Sequence, residues 1–281
     1  MTNNAPTSVL VTGASGNVGR PLVDQLLGAG HRVRALTRDP ERAALPPATD
    51  VVAGNLKDAG SLDAAFEGVA AAHLIGFDAA DYSPLDNGAE IAETALRKGV
   101  RRVTLLKGEL EKSDLELAIE ASGLACTSLA PVEFMSNVQE WADSIRSEGV
   151  VRDGFPDIPS AMVHDADIAS VAAAALTGGA EHAGQEYWLT GPEALTAPQK
   201  VAVIGEVLGR PIRFEELSQD QIVGQWREQG FSDEEVEFFL LMRTNPPEAG
   251  YTVLPTVEQV TGRPARTFAQ WVAEHRAVFG G

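Results

Sequence analysis

Short runs of β-branched and apolar residues recur through the first half of the chain, separated by stretches in which apolar residues return every three or four positions. Val9-Leu10-Val11, Val33-Arg34-Ala35-Leu36-Thr37, Val51-Val52-Ala53, Ala72-His73-Leu74-Ile75, Val103-Thr104-Leu105-Leu106 and residues 125–129 read as strands. Helical spacing runs through Leu22 and Leu26-Leu27, near residues 89–98 and over residues 112–121. Such alternation predicts parallel strands joined by crossover helices, an α/β fold.

Beyond Pro131 the rhythm loosens. Tyr187-Trp188-Leu189-Thr190 and a helix over residues 197–208 are expected to complete the sheet before Gly209-Arg210-Pro211 breaks the chain. The tail from Ile212 mixes a short strand with three helical stretches; one of them, residues 236–242, is apolar almost all round and so is expected to be buried or to line a pocket. Asn245-Pro246-Pro247 alone resembles a linker, and no repeat or low-complexity segment is visible. These patterns predict a dinucleotide-binding core over residues 1–210, with residues 132–165 contributing to a substrate cleft, and a smaller C-terminal cap over residues 211–281.

Composition narrows the function classes. With 22 Lys plus Arg against 40 Asp plus Glu, the formal charge of −18 opposes contact with a phosphate backbone, so nucleic acid is not an expected partner. The single cysteine, Cys126, lies in the apolar run Leu124-Ala125-Cys126-Thr127 and reads as a small core residue. Residues 1–8 are short and polar and no apolar stretch approaches a membrane span, which leads us to expect a cytoplasmic protein with no membrane contact. The histidines show no metal-ligand spacing, so no metal is expected.

The sharpest local signal is Thr12-Gly13-Ala14-Ser15-Gly16-Asn17-Val18-Gly19, three glycines at regular spacing where a strand gives way to a helix. Gly13 allows the tight turn, Gly16 lets backbone amides approach a pyrophosphate, and Gly19 lets helix and strand pack closely. The helix N-terminus then faces the anion. The second strand ends in Thr37-Arg38-Asp39-Pro40, where an acid would hold a ribose 2′-hydroxyl and a guanidinium a 2′-phosphate. Arg38 favours NADP(H), Asp39 weakens that preference, and a solvated strand-end cation is the bland reading of Arg38. Arg20 is either a second phosphate partner or an exposed helix residue.

The chain resembles the NmrA-like, atypical short-chain dehydrogenases/reductases. The likeness rests on Thr12 to Gly19, on residues 33–40, and on Ser122-Gly123-Leu124 through Pro131-Val132-Glu133-Phe134-Met135-Ser136-Asn137; it continues in Asp165-Ala166-Asp167-Ile168-Ala169, residues 189–196 and residues 261–268. It implies a Rossmann-type, doubly wound parallel sheet that binds NAD(P)H, with an irregular C-terminal region capping a cleft for a small substrate. The implied cofactor contacts are Thr12, Gly13, Ser15, Gly16, Asn17, Val18, Gly19, Thr37, Arg38, Asn55, Leu56 and Lys107. Two departures stand out. Ala130 replaces a common arginine, and Asn55 a common aspartate on the adenine side.

Typical members of the superfamily protonate substrate with a tyrosine whose partner lysine lies four residues on. Here the tyrosines are Tyr82, Tyr187 and Tyr251, followed at that spacing by Asp86, Gly191 and Pro255, so the pair is absent. Hydride transfer still needs only positioning and exclusion of water, and quinones or extended aromatic ketones delocalise the developing charge. Lys107, after the fifth strand, and Lys112, near the position of a general acid/base in isoflavone-reductase-like relatives, are candidate catalytic helpers. Lys107 also reads as a strand-end charge, and Lys112 as a partner of Glu116 on a solvated helix face. Phe134, Met135, Trp141, Phe238 and Met242 are candidates to wall an apolar pocket, or to be ordinary core. The expected function is an NADPH-dependent reductase acting on the ketone or quinone carbonyl of a small aromatic, polyketide-like substrate. The alternative is a catalytically silent NADP(H) sensor that acts through a protein partner. Oligomeric state is not legible.

Overall fold

The apolar runs become strands because, in the computed structural model, helices cover them on both faces; the structure describes residues 6–78, 83–108 and 111–281. The strands are β1 (Ser8–Val11), β2 (Arg32–Thr37), β3 (Asp50–Ala53), β4 (Ala71–Ile75), β5 (Arg102–Leu106), β6 (Ala125–Pro131), β7 (Val150–Asp153), β8 (Gln185–Leu189) and β9 (Arg213–Glu216). The helices are α1 (Gly19–Gly28), α2 (Ala59–Phe66), α3 (Gly88–Arg97), α4 (Asp114–Ser122), α5 (Ala142–Glu148), α6 (Asp165–Thr177), α7 (Ala197–Leu208), α8 (Gln219–Glu228), α9 (Asp233–Thr244), α10 (Thr256–Thr261) and α11 (Phe268–Glu274). Among the described residues, no helix is long and apolar enough to cross a membrane.

The chain divides into two units. The first comprises the chain up to Pro131, Asp165–Leu189 and Gln259–Gly262; the second comprises Val132–His164, Thr190–Glu258 and Arg263–Gly281. The expected boundary at residue 210 therefore moves. The chain leaves the large sheet for good at Leu189, and α7, expected to complete that sheet, instead buries Val201 and Ile204 against Phe268 and Trp271 in the second unit's core.

In the first unit, seven parallel strands run in the order β3-β2-β1-β4-β5-β6-β8, the Rossmann-type arrangement that the alternation predicts. The central strands β1, β4 and β5 are almost wholly buried, whereas the edge strands β3 and β8 carry exposed positions. The strand order reverses where β1 pairs with β2 on one side and β4 on the other. A core of Leu10, Leu36, Leu62, Phe66, Leu74, Ile91, Leu105, Leu115 and Ile119 holds the layers together. Two helices here escaped the sequence pattern, α2 and α6. Both are rich in alanine, which fits a helix but contributes little periodic contrast between faces.

The second unit pairs β7 with β9 in a short parallel ribbon and packs Met135, Trp141, Ile145, Val151, Met162 and Phe279 with the α7–α11 core. Its helix α9 begins at a capping box, in which Ser232 accepts from Glu235 N–H and the Glu235 side chain returns to Ser232 N–H. The expected burial of residues 236–242 holds for Val236 alone among them; Phe238 is 48% and Leu241 50% exposed. The tail contains four helices, α8 to α11, rather than three.

One contact limits substitution at the β1–α1 junction. A Cβ added at Gly19 would lie 2.1 Å from the Gly13 carbonyl oxygen, and Gly13 itself has φ +60°. We expect Gly19→Ala to force the turn open, costing about 1–3 kcal/mol of stability as overpacking does, with loss of dinucleotide binding. Thermal unfolding and calorimetry on the same sample check both effects.

Candidate functional site

The β1–α1 turn is held from below. Thr12 Oγ1 donates to the His73 carbonyl at 3.0 Å and accepts from Ile75 N–H at 3.1 Å, tying the ends of β1 and β4 together at the point where the strand order reverses. His73 is itself fixed, with Nδ1 2.8 Å from Thr104 Oγ1; burial pushes its pKa down to about 4, so the ring is neutral at pH 7. Gly16 N–H closes the turn on the Gly13 carbonyl at 2.9 Å. Ser15 is exposed with its hydroxyl and N–H uncommitted among the described residues, while Val18 is buried and leads into α1. Gly16 and Asn17 are also exposed on the turn.

A cavity of about 220 Å³ opens at the C-terminal ends of β1 to β4. Its wall contains Thr12, Gly13 and Ser15 from the turn, Thr37 and Arg38 at the end of β2, and Asn55 and Leu56 after β3, all anticipated from sequence. Asn55 organises its own loop, where its Oδ1 accepts from Lys57 N–H at 3.1 Å and its N–H donates to Ser61 Oγ at 3.1 Å. Lining residues not anticipated include Arg42, Phe77 and Asp78. Arg38 Nη1 lies 3.8 Å from Asp78 Oδ1, Lys57 Nζ lies 3.4 Å from Asp78 Oδ2, and Arg42 Nε lies 3.4 Å from Asp39 Oδ2. These groups were hard to foresee, because the segment after β4 meets the loops after β2 and β3 only in the folded sheet. Residues 79–82, including Tyr82, lie outside the described residues.

Arg20 fits neither sequence reading. Its guanidinium donates to the Ala43 and Ala44 carbonyls at 3.0 and 2.7 Å, pinning the loop that carries Arg38 and Arg42. Ala43 lines the cavity and Ala44 has φ +46°, so Arg20 shapes the wall from behind. A turn with no room for a Cβ, exposed backbone at a helix N-terminus and two arginines in the adjoining cavity suit the pyrophosphate and adenosine side of a phosphorylated dinucleotide.

Lys107 takes another place. Its side chain is only 7% exposed, with Nζ 3.5 Å from Glu116 Oε2 and 3.4 Å from Glu186 Oε1, and it is not part of the cavity wall. Glu116, fully enclosed on α4, also accepts from Ser128 Oγ at 2.7 Å, so the network joins β5, α4, β6 and β8. Lys112 precedes α4, because Ser113 caps that helix, and it pairs with Glu120 at 2.6 Å rather than with Glu116. Met135 and Trp141 are packed in the second unit's core, Phe134 and Met242 are half-buried, and Phe238 stands exposed on α9. Cys126 is buried beside this network, and burial pushes its thiol up to about 11.

Comparisons with known proteins fit this geometry. Residues 13–109 match a family model described as NAD(P)H-binding. The chain is 40% identical to a (4-alkanoyl-5-oxo-2,5-dihydrofuran-3-yl)methyl phosphate reductase of Streptomyces griseus, over 96% of this chain and 99% of that protein. It is 31% identical to an NAD(P)H azoreductase of Xenophilus azovorans, over 97% and 99%. Its fold is that of an NADPH-dependent quinone oxidoreductase from Escherichia coli solved with NADPH, with a TM-score of 0.75 at 22% identity, covering 95% of this chain and 99% of that one.

Hydrogen bonds to charged partners contribute about 1.5–3 kcal/mol, so Arg38→Ala is expected to weaken NADPH binding about ten- to a hundredfold and to leave NADH binding nearly unchanged. Titration of dihydronicotinamide fluorescence with each cofactor measures the difference. Equal losses for both cofactors would remove Arg38 from 2′-phosphate recognition.

Proposed function

The chain belongs to the NmrA-like, atypical short-chain dehydrogenase/reductase family of NAD(P)H-binding proteins, and on that basis we propose that it reduces a small acceptor whose reacting carbon is part of, or conjugated to, a carbonyl group, with NADPH as donor. It is an NAD(P)H-dependent oxidoreductase. The observation that carries the acceptor class is the 40% identity, along essentially the whole of both chains, to a reductase of an acylated, unsaturated lactone phosphate. Ketones and quinones, expected from sequence, belong to the same electron-poor class.

The bound dihydronicotinamide supplies the hydride. The protein's share begins with the turn at Gly13, Gly16 and Gly19, which presents backbone to the pyrophosphate, while Arg38 and Arg42 receive the 2′-phosphate and Leu36, Leu56 and Ile75 supply apolar wall. Phosphate then competes with Asp78 and Asp39 for those guanidinium groups, which are held ready by the carboxylates. An acceptor conjugated to carbonyls spreads the charge that hydride addition creates, so a weakly acidic group suffices to complete the reaction. That tolerance accords with a sequence lacking the tyrosine–lysine pair. Lys112, exposed and paired with Glu120, has no part in this reading.

NADPH oxidation across quinones, polycyclic aromatic ketones and acylated unsaturated lactones, wild type against Gly16→Asp, tests the proposal. The wild type should turn over at least one class, and the variant, with a carboxylate placed at the anion turn, should lose cofactor binding and turnover together. Tight NADPH binding with no acceptor reduced would instead fit a silent sensor.

A further inference from the structure

The cavity at the ends of β1 to β4 carries more acid than an anion site needs. Two arginines of its wall, Arg38 and Arg42, are matched by two aspartates, Asp39 and Asp78, so the wall is neutral where a pocket built only for a 2′-phosphate would carry surplus cation. The two pairs differ. Arg42 and Asp39 sit three residues apart on a loop, with side chains 88% and 51% exposed, where water screens their attraction. Asp78 is enclosed, its side chain 10% exposed, and cations reach it from two other loops: Lys57 Nζ lies 3.4 Å from Oδ2, and Arg38 Nη1 lies 3.8 Å from Oδ1.

The aspartate is held in place and the arginine is not. Asp78 follows β4, where its N–H donates to the Ser83 carbonyl at 2.8 Å and its neighbour Phe77 bridges Pro84. Lys57 follows β3, its N–H donates to Asn55 Oδ1 at 3.1 Å, and its ammonium donates to Ser83 Oγ at 2.6 Å. Backbone and ammonium together fix the Asp78 carboxylate against the cavity. The Arg38 guanidinium makes no hydrogen bond among the described residues, and at 3.8 Å from Asp78 it is held by charge alone.

We propose that Asp78 is a cofactor-binding residue through which the site takes both nicotinamide dinucleotides: it accepts from the adenine ribose 2′-hydroxyl of NADH, and it yields Arg38 to the 2′-phosphate of NADPH. The inference rests on the cofactor reading above and deepens it. A carboxylate in the wall is the ordinary acceptor of a ribose hydroxyl. One that follows β4 leaves the end of β2 to Arg38, so the wall carries a group for each form of the ribose. The 2′-phosphate brings about two negative charges toward Asp78, and Lys57 offsets the carboxylate so that the phosphate can draw Arg38 over. Specificity is a difference between two affinities, and each dinucleotide forfeits what the other uses. NADPH meets a fixed acid, and NADH leaves a guanidinium unanswered.

Calorimetry with ADP-ribose, with 2′-phospho-ADP-ribose and with ADP-ribose lacking the adenosine 2′-hydroxyl tests this end of the site, since none of the three carries a nicotinamide and no turnover is read. Wild type should bind the first two within about tenfold of each other, a difference of about 1.4 kcal/mol at most. The 2′-deoxy form should bind about tenfold more weakly than ADP-ribose, as loss of a hydrogen bond to a charged group requires. Asp78→Asn should bind 2′-phospho-ADP-ribose about two- to fivefold more tightly and ADP-ribose more weakly by a similar factor, whereas Lys57→Gln should weaken the phosphorylated ligand alone. If Asp78→Asn does not fold, the 2′-deoxy comparison on wild type decides. A wild type that binds 2′-phospho-ADP-ribose and is indifferent to removal of the 2′-hydroxyl overturns the role of Asp78 and leaves NADPH as the cofactor. Equal changes for both ligands in Asp78→Asn do the same. Binding of none of the three overturns the cofactor reading as well.

Discussion

A carbonyl oxygen at Gly13 and the first residue of α1 approach so closely that no side chain fits between them. That approach fixes where α1 starts, and so where its N-terminus points, and it sets β1 and α1 at the distance from which the rest of the sheet is laid down. Thr12 extends the constraint sideways, since one hydroxyl bridges the ends of β1 and β4 across the reversal of strand order. The binding turn is thus part of the sheet's own hydrogen bonding, and organising it requires little rearrangement when an anion arrives.

The charges around the cavity follow from the protein's composition. A chain with formal charge −18 repels a polyphosphate at long range, so the attraction has to be local. Arg38 and Arg42, each kept near an aspartate, are the cations of the cavity wall, and Arg20 holds the loop that carries them through two backbone carbonyls. Guanidinium groups suit this exchange because they pair in a planar fork with carboxylate or phosphate alike.

How much of this was legible in the sequence depended on whether a feature is local. β1, β4 and β5 announced themselves because strands covered on both faces must be apolar throughout, and the glycine turn because its backbone demands fall within eight consecutive residues. The alanine-rich α2 and α6 hid because alanine is indifferent to which face it occupies. Lys112 was put on a helix that Ser113 in fact begins, a one-residue matter of capping that moved its partner from Glu116 to Glu120. The places of Arg42 and Asp78 in the cavity wall were beyond reach, since loops far apart in the chain build that wall. The unit boundary was misjudged because a helix such as α7 shows which face it buries but not against what.

The lone cysteine carries a consequence for the chemistry nearby. Quinones and unsaturated lactones, the acceptors proposed above, are electrophiles that arylate or alkylate thiolates, and a catalyst that handled them would risk being consumed. Cys126 is enclosed in the core, where burial pushes its thiol up to about 11, so the chain offers such compounds no accessible thiolate. The one thiol of the chain is thereby kept out of reach in the interior of the first unit.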